Sequence, residues 1–378
     1  MSGLKNPARS RVTVSRRAAT PVLAMLALLV GHAHDAASRG RAPHLVVATL
    51  PGELKAAQTE ALWRPFTRET RTVVDVVTWD GTLSQLRQRL RARKHDWSLA
   101  LIEDTTLSVG CGQGLFLHTG NSPRDKTTGV SDGCGVHALS VDLALTWDAS
   151  KLQTAPTWAD FWDVARHPGK RGLRCDPRGT LEAALLSDGV PPGDIYATLA
   201  TPEGVERAFK RLSQLRPYIV WWSTPEEAAR ILTSGAALMG TAPTAEILAA
   251  NARSKSGPFG ILWSPRLRVD YDWVIPAGSG TNTNQGKTLE DWATAPEQFQ
   301  AMAIRYPSAP LPADPVATSG SSRKSGDQSS GTKDVATNVA PESAPVNDTP
   351  PPLPISSAFW RDHLPAIETR FDQWLAER

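Results

Sequence analysis

The chain has 378 residues, enough for two domains with a substantial core. Its formal charge of +3 is concentrated in residues 1–33, which hold Lys5, Arg9, Arg11, Arg16 and Arg17 and no acid; taking these five from the 41 basic residues leaves 36 against 38 acids. The rest is close to neutral, which gives no argument for a nucleic acid or a membrane surface as partner.

Residues 1–33 read as an export signal with a basic start and an apolar run of 14 residues from Ala18 to Gly31. That run is short for a bilayer, and Gly31-His32-Ala33 offers small residues for cleavage. Leu45 to Leu50 is a compact apolar run before Pro51-Gly52, hence a buried first strand. A helix is expected from Leu54 to Thr67 and a second strand from Val73 to Val77. Leu83, Leu86 and Leu90 mark one face of the next helix, with an arginine-rich solvated face opposite. Trp97 to Ile102 is the third strand, and Gly135 to Trp147 is apolar and extended. Three cysteines in an exported chain suggest one disulfide and one spare thiol.

The most informative stretch runs from Thr157 to Trp222. A tryptophan-rich helical turn is broken by Pro168-Gly169; a short strand, a helix from about Thr180 and a helix from Glu203 to Leu215 follow, and an apolar strand ends on Trp221-Trp222. Strand, helix and strand in that order are the unit of a parallel sheet. The segments Trp-Ala-Asp-Phe-Trp-Asp (158–163), Pro-Gly-Lys-Arg-Gly-Leu-Arg (168–174), Thr-Leu-Glu (180–182), Asp-Gly-Val (188–190), Ala-Thr-Pro-Glu-Gly-Val (200–205) and Val-Trp-Trp (220–222) lie in this order. Together they resemble the spermidine/putrescine-binding proteins of bacterial ABC importers.

The resemblance implies an α/β fold, the two-lobe type II periplasmic binding protein. Each lobe is a mostly parallel sheet flanked by helices, and two crossing strands form the hinge. The expected boundaries are 44–140 with 272–311 for lobe 1 and 141–271 with 355–378 for lobe 2. Strands are expected at Ala236 to Gly240, Gly260 to Trp263 and Tyr271 to Pro276, and a helix at Lys287 to Ile304. From 312 to 354, Ser, Gly, Thr, Pro, Asn and Asp dominate, which reads as a disordered polar insert. Helical spacing returns with Phe359, Trp360, Ile367, Phe371 and Trp374, like the family's closing helix. Family members often carry cysteines at places matching Cys111 and Cys134, which favours that disulfide and leaves Cys175 free.

No nucleophile beside a base, paired carboxylates or ligands at metal spacing stand out, so neither an enzyme nor a cofactor or metal is expected. A polyammonium ligand needs a carboxylate at each end and aromatic faces or hydroxyls between. The candidates are Trp79, Asp80, Thr82, Asp104, Asp142, Asp176, Trp222, Tyr271 and Asp272, grouped at strand ends and crossings. The chain departs from the family where three pocket rings are replaced, at Leu50-Pro51-Gly52, Ser140-Val141-Asp142 and Pro243. The ligand has therefore changed while the scaffold motifs persist. Arg174, Arg178 and Thr180, near the start of a helix, offer an alternative site for an anionic or zwitterionic solute. The expected function is a periplasmic solute receptor that closes by a hinge on a polyamine or related small amine, acting as a monomer with ABC permease subunits as partners. A scaffold or sensor with a degenerate pocket is the remaining alternative.

Overall fold

The computed structural model describes residues 44–94, 96–119, 133–254, 259–278, 283–308 and 350–377. The expected export signal (1–33) and most of the expected polar insert lie outside these residues. The first half is built from β1 (His44–Thr49), β2 (Val73–Thr78) and β3 (Leu99–Glu103), all parallel, with β1 in the middle. Between β1 and β2 run three consecutive helical segments, Glu53–Gln58, a π turn Thr59–Trp63 and Arg64–Thr70. Thr82 starts the helix Leu83–Arg91 by accepting the Gln85 N–H at 3.2 Å. That fixes the loop leaving β2.

β4 (Gly135–Asp148) then runs 14 residues from the first half into the second. The second half holds β5 (Arg171–Arg174), parallel to both β6 (Ile219–Trp222) and β7 (Met239–Pro243). β7 and β8 (Phe259–Ile261) pair antiparallel with the far end of β4. The return strand β9 (Leu267–Val274) lies antiparallel to β4 from Leu143↔Leu267 to Gly135↔Val274, and its last residues pair with β3. β10 (Leu353–Pro354) adds to the outer edge of β9. Among the described residues the main path of the sheet is therefore β2-β1-β3-β9-β4-β7-β5-β6. The two halves share the β4–β9 pair and nothing else in that path, which is the two-lobe arrangement with crossing strands.

Several boundaries differ from the sequence reading, each for a local reason. Ala236 and Ala237 belong to the turn after helix Pro225–Thr233, where Gly235 takes φ +72°, so β7 begins only at Met239. β9 starts four residues before Tyr271. The single helix expected from Lys287 is two, Thr283–Ala293 and Pro296–Arg305, because Pro296 has no N–H to continue the first. Leu353–Pro354 was expected inside the disordered insert, yet it is a strand: the N–H groups of Leu353 and Ile355 donate to the carbonyls of Arg266 and Arg268 on the open edge of β9.

The closing helix, Ser357–Ala376, buries Phe359, Trp360, Leu364, Ile367, Phe371 and Trp374. Trp374 Nε1 donates to Ser213 Oγ at 2.8 Å, and Ser357 Oγ donates to Asp104 in the first half. Trp360 Nε1 donates at 2.9 Å to Glu182, a fully buried carboxylate that also accepts from Tyr196 Oη at 3.0 Å and Gly179 N–H at 2.7 Å. Burial raises the Glu182 pKa, and these donors oppose that rise. Trp360→Phe removes one donor and leaves part of the indole volume unfilled at a fully buried position. It is expected to destabilise by about 1–3 kcal/mol, read as a lower urea midpoint with an unchanged slope.

Candidate functional site

Where the two halves meet, the carboxyl ends of β3 and β5 face each other across β9. β5 delivers Arg174, and the chain then passes Cys175, Asp176, Pro177 and Arg178 before a regular helix begins at Thr180. Arg178 (ψ 128°) and Gly179 (φ +80°) are not helical. The left-handed backbone at Gly179 costs a glycine little, and a Cβ there would sit 3.1 Å from Leu143 Cδ2. Asp176 accepts the Arg178 N–H at 2.8 Å and grips its guanidinium through Nε at 2.8 Å and Nη2 at 2.5 Å. The kink so held turns Arg178 toward the first half.

There Arg178 Nη1 donates to Thr105 Oγ1 at 2.8 Å and Thr106 Oγ1 at 2.5 Å, and lies 3.4 Å from Glu103 Oε2. Arg174 Nη2 donates to Glu103 Oε1 at 2.5 Å and is 3.7 Å from Asp176. Tyr271 Oη, on the return crossing, also donates to Glu103 Oε1 at 3.3 Å. Glu103, Arg174, Asp176, Arg178 and Tyr271 line a cavity of about 200 Å³ together with Asp80, Thr82, Trp222, Pro243 and Leu50. That is below the ~300 Å³ at which pockets for drug-sized ligands begin, so it suits a small solute. Three carboxylates (Asp80, Glu103, Asp176) and two guanidinium groups face one space. Asp80 accepts from the Thr82 N–H and hydroxyl, both at 2.8 Å, and forms no ion pair among the described residues.

Burial alone would push the Asp176 carboxyl up, but the charges of Arg178 and Arg174 bring it down to about 2. Burial pulls both arginines down and is overcome, by Glu103 and then Asp176 at Arg174 and by Asp176 and then Glu103 at Arg178, so both rise. Burial and the Glu103 charge raise the Tyr271 phenol. Cys175, a free thiol on the cavity lining, is raised by partial burial and by the nearby charge of Asp176. The Asp176 carboxylate and the two guanidinium groups are thus held charged at neutral pH.

The structure brings Asp80, Thr82, Asp176, Trp222, Tyr271, Arg174 and Arg178 to the cavity. It places the other expected residues elsewhere. Trp79 is buried edge-on against Trp97, at 5.2 Å between rings, one residue short of the loop. Asp104 opens the helix Asp104–Gly112 and turns to Ser357. Asp142 is fully buried and held by Arg266 Nε at 2.7 Å and Arg268 Nε at 2.9 Å. Asp272 is buried and, one residue after Tyr271 on a strand, faces the other side of the sheet from it. Thr180 spends its hydroxyl on the Arg174 carbonyl at 2.8 Å and so holds the loop rather than lining the cavity. Glu103 was not singled out, although it ends β3 and organises the cluster. The usable signal was its place as the last strand residue, one step before the acid that was chosen.

Cys111 and Cys134 are joined in a disulfide, and Cys175 is free. His118 stands beside that disulfide, 3.5 Å from Cys134 Sγ, completing a Cys-His-Cys group whose two sulfurs are bonded to each other. No helix among the described residues is long and apolar enough to cross a membrane.

Comparison with known proteins agrees with this architecture. Residues 61–324 match the family described as bacterial extracellular solute-binding protein. The gamma-aminobutyric acid-binding protein of Pseudomonas aeruginosa is 31% identical over 357 residues, covering 92% of this chain and 95% of that protein. Among solved structures, MotA of A. tumefaciens B6 in complex with glucopine superposes with a TM-score of 0.69 at 19% identity, covering 88% of this chain and 100% of MotA. A GABA receptor superposes with a TM-score of 0.65 at 22% identity, covering 89% of this chain and 98% of the receptor.

Two outcomes follow from the charges. Asp142→Ala leaves Arg266 and Arg268 without their shared carboxylate and is expected to destabilise by about 3–5 kcal/mol, measured by urea denaturation. The Asp176 pKa is below its ordinary 3.8, so its share of stability is present above about pH 4 and lost as pH falls through about 2. Asp176→Asn should therefore flatten the fall in urea midpoint over that range.

Proposed function

Because the chain belongs to the bacterial extracellular solute-binding protein family of ABC importers, whose members bind solutes rather than transform them, we propose that it captures a small zwitterion of the ω-amino acid type, such as GABA. The observation that carries this reading is the opposition, within one small cavity, of Arg174 and Arg178 from the second half and Asp80 from the first. Arg174 uses only Nη2 in the contacts described above, so its Nε and Nη1 hydrogens remain to donate to a carboxylate. Asp80 takes the ammonium end, and Trp222, Tyr271 and Leu50 cover the methylenes between. The relative that binds gamma-aminobutyric acid supports the same ligand class.

A diamine suits the sequence resemblance, but it would place one ammonium against two arginines. The halves, bounded at 44–140 with 272–311 and 141–271 with 355–378, close on the solute about the β4–β9 pair and present it to permease subunits from the periplasmic side. Isothermal titration of the purified chain with GABA, putrescine and butyrate tests this. GABA is expected to bind at least tenfold tighter than either competitor, since each charged end contributes about 1.5–3 kcal/mol. Asp80→Asn should weaken GABA tenfold or more with little change in stability. Putrescine binding tighter than GABA would restore the polyamine reading.

A further inference from the structure

The two halves meet a second time in a seam beside the cavity, next to its lining residues Leu50, Pro225 and Pro243. Helix Thr244–Arg253, which follows β7, lies against the loop Pro51-Gly52 and the helix Glu53–Gln58 that follow β1. Glu246 sits in this seam and is 3% exposed. From the first half its carboxylate receives the Tyr306 hydroxyl at 3.2 Å and the backbone N–H groups of Glu53 and Leu54. Thr244 Oγ1 donates to the Ser308 carbonyl at 2.9 Å beside it.

The charges around Glu246 do not neutralise it. The Glu53 carboxylate faces it, and Arg253, on Glu246's own helix, is turned to Glu53 at 2.6 Å. Glu226 enters from the helix Pro225–Thr233: a Cβ on Gly52 would fall 2.9 Å from Glu226 Cβ and 3.2 and 3.3 Å from the two Glu246 oxygens. Gly52 also holds φ +92°, so only glycine lets the chain pass this close to the two acids. Tyr306 is itself raised, by burial and by Glu246, and stays a neutral donor.

We propose that Glu246 is a proton-operated catch on the closed cleft: it takes up a proton as the halves come together and releases it as they part. This rests on the reading that the cleft closes over a solute. When the seam opens, Glu246 loses the cover of Gly52, Tyr306 and Ser308 and becomes an ordinary carboxylate. In the seam, burial chiefly, with the Glu53 charge adding to it, pushes the carboxyl up from 4.5 to about 7 despite the donors that oppose it. The sign follows from linkage. The closed form has the higher pKa and binds the proton more tightly, so the protonated catch is fully engaged below about pH 4.5 and is lost as pH rises through 7. GABA keeps both charges across pH 6 to 8, and no histidine is among the described residues that line the cavity.

The test is GABA titration of the full chain at pH 6 and pH 8, for wild type and Glu246→Gln, which replaces the carboxyl by a neutral group of the same shape. Wild type is expected to bind about tenfold tighter at pH 6 than at pH 8. The glutamine variant should show no pH dependence and should bind more tightly than wild type at pH 8. A glutamine variant that keeps the wild-type slope, or a wild type with none, overturns the proposal. If GABA binds at neither pH, it is the ligand reading that fails, and the catch is read instead from small-angle scattering of the ligand-free chain. The radius of gyration should then fall from pH 8 to pH 6 in wild type only. An equal response in both proteins, or no response in wild type, overturns the catch.

Discussion

The bond from Glu103 to Arg174 at 2.5 Å, with Arg178 at 3.4 Å from the same carboxylate, is the contact on which the candidate site depends. It joins strand ends from opposite halves, and charges so enclosed are tolerated only when paired and hydrogen-bonded. Asp176, Thr105, Thr106 and Tyr271 supply the remaining partners. A carboxylate arriving at this cluster does not meet bare arginines. It must share guanidinium groups already engaged by Glu103 and Asp176, so net affinity comes from the difference between two well-satisfied arrangements. On the proposed zwitterion reading, selectivity would come from what cannot be shared: an ammonium would face the Arg174 charge, and a neutral solute would gain little from Asp80.

The β4–β9 ladder connects the two sides of that cluster. Its central residues pair Leu139 with Tyr271 and Ser140 with Asp270, and Ser140 Oγ donates to Asp270 at 2.5 Å. A register shift between His137 and Leu139 interrupts the ladder on the first-half side of these pairs. Such a bulge bends a strand locally and increases its twist. Beyond it, the buried pairing of Asp142 with Arg266 and Arg268 locks the second-half end of the crossing. The waist is thus held firmly at one end and interrupted at the other.

Much of this was legible in the sequence because apolar periodicity and breakers are local signals. β1, β2, β6 and the closing helix fall within a residue or two of where they were expected, and the helix beginning at Thr180 is regular from that residue. The helix Thr244–Arg253, with its half of the second seam, was not anticipated. Its start, Pro243-Thr244-Ala245-Glu246, has no side-chain cap to announce it. The site was half legible. Strand ends located Asp80, Thr82, Asp176, Trp222 and Tyr271, but an acid at a crossing looks the same in sequence whether it faces a cavity or two arginines. Asp142 and Asp272 were therefore indistinguishable from ligand groups until register and facing were known. Asp104 and Glu103 differ by one residue, and the helix that begins between them sends their side chains to different neighbours.

The closing helix carries a consequence for how the candidate site is held in shape. Its Trp360 completes the donors around Glu182, which holds Gly179 and with it the kink that presents Arg178, while Ser357 reaches Asp104 beside the same waist. This 20-residue helix is therefore part of what shapes the candidate site, although none of its residues is among the described ones that line the cavity. Without that helix every cavity residue would keep its place in the chain, but the Arg178 guanidinium would lose the support that aims it across the waist.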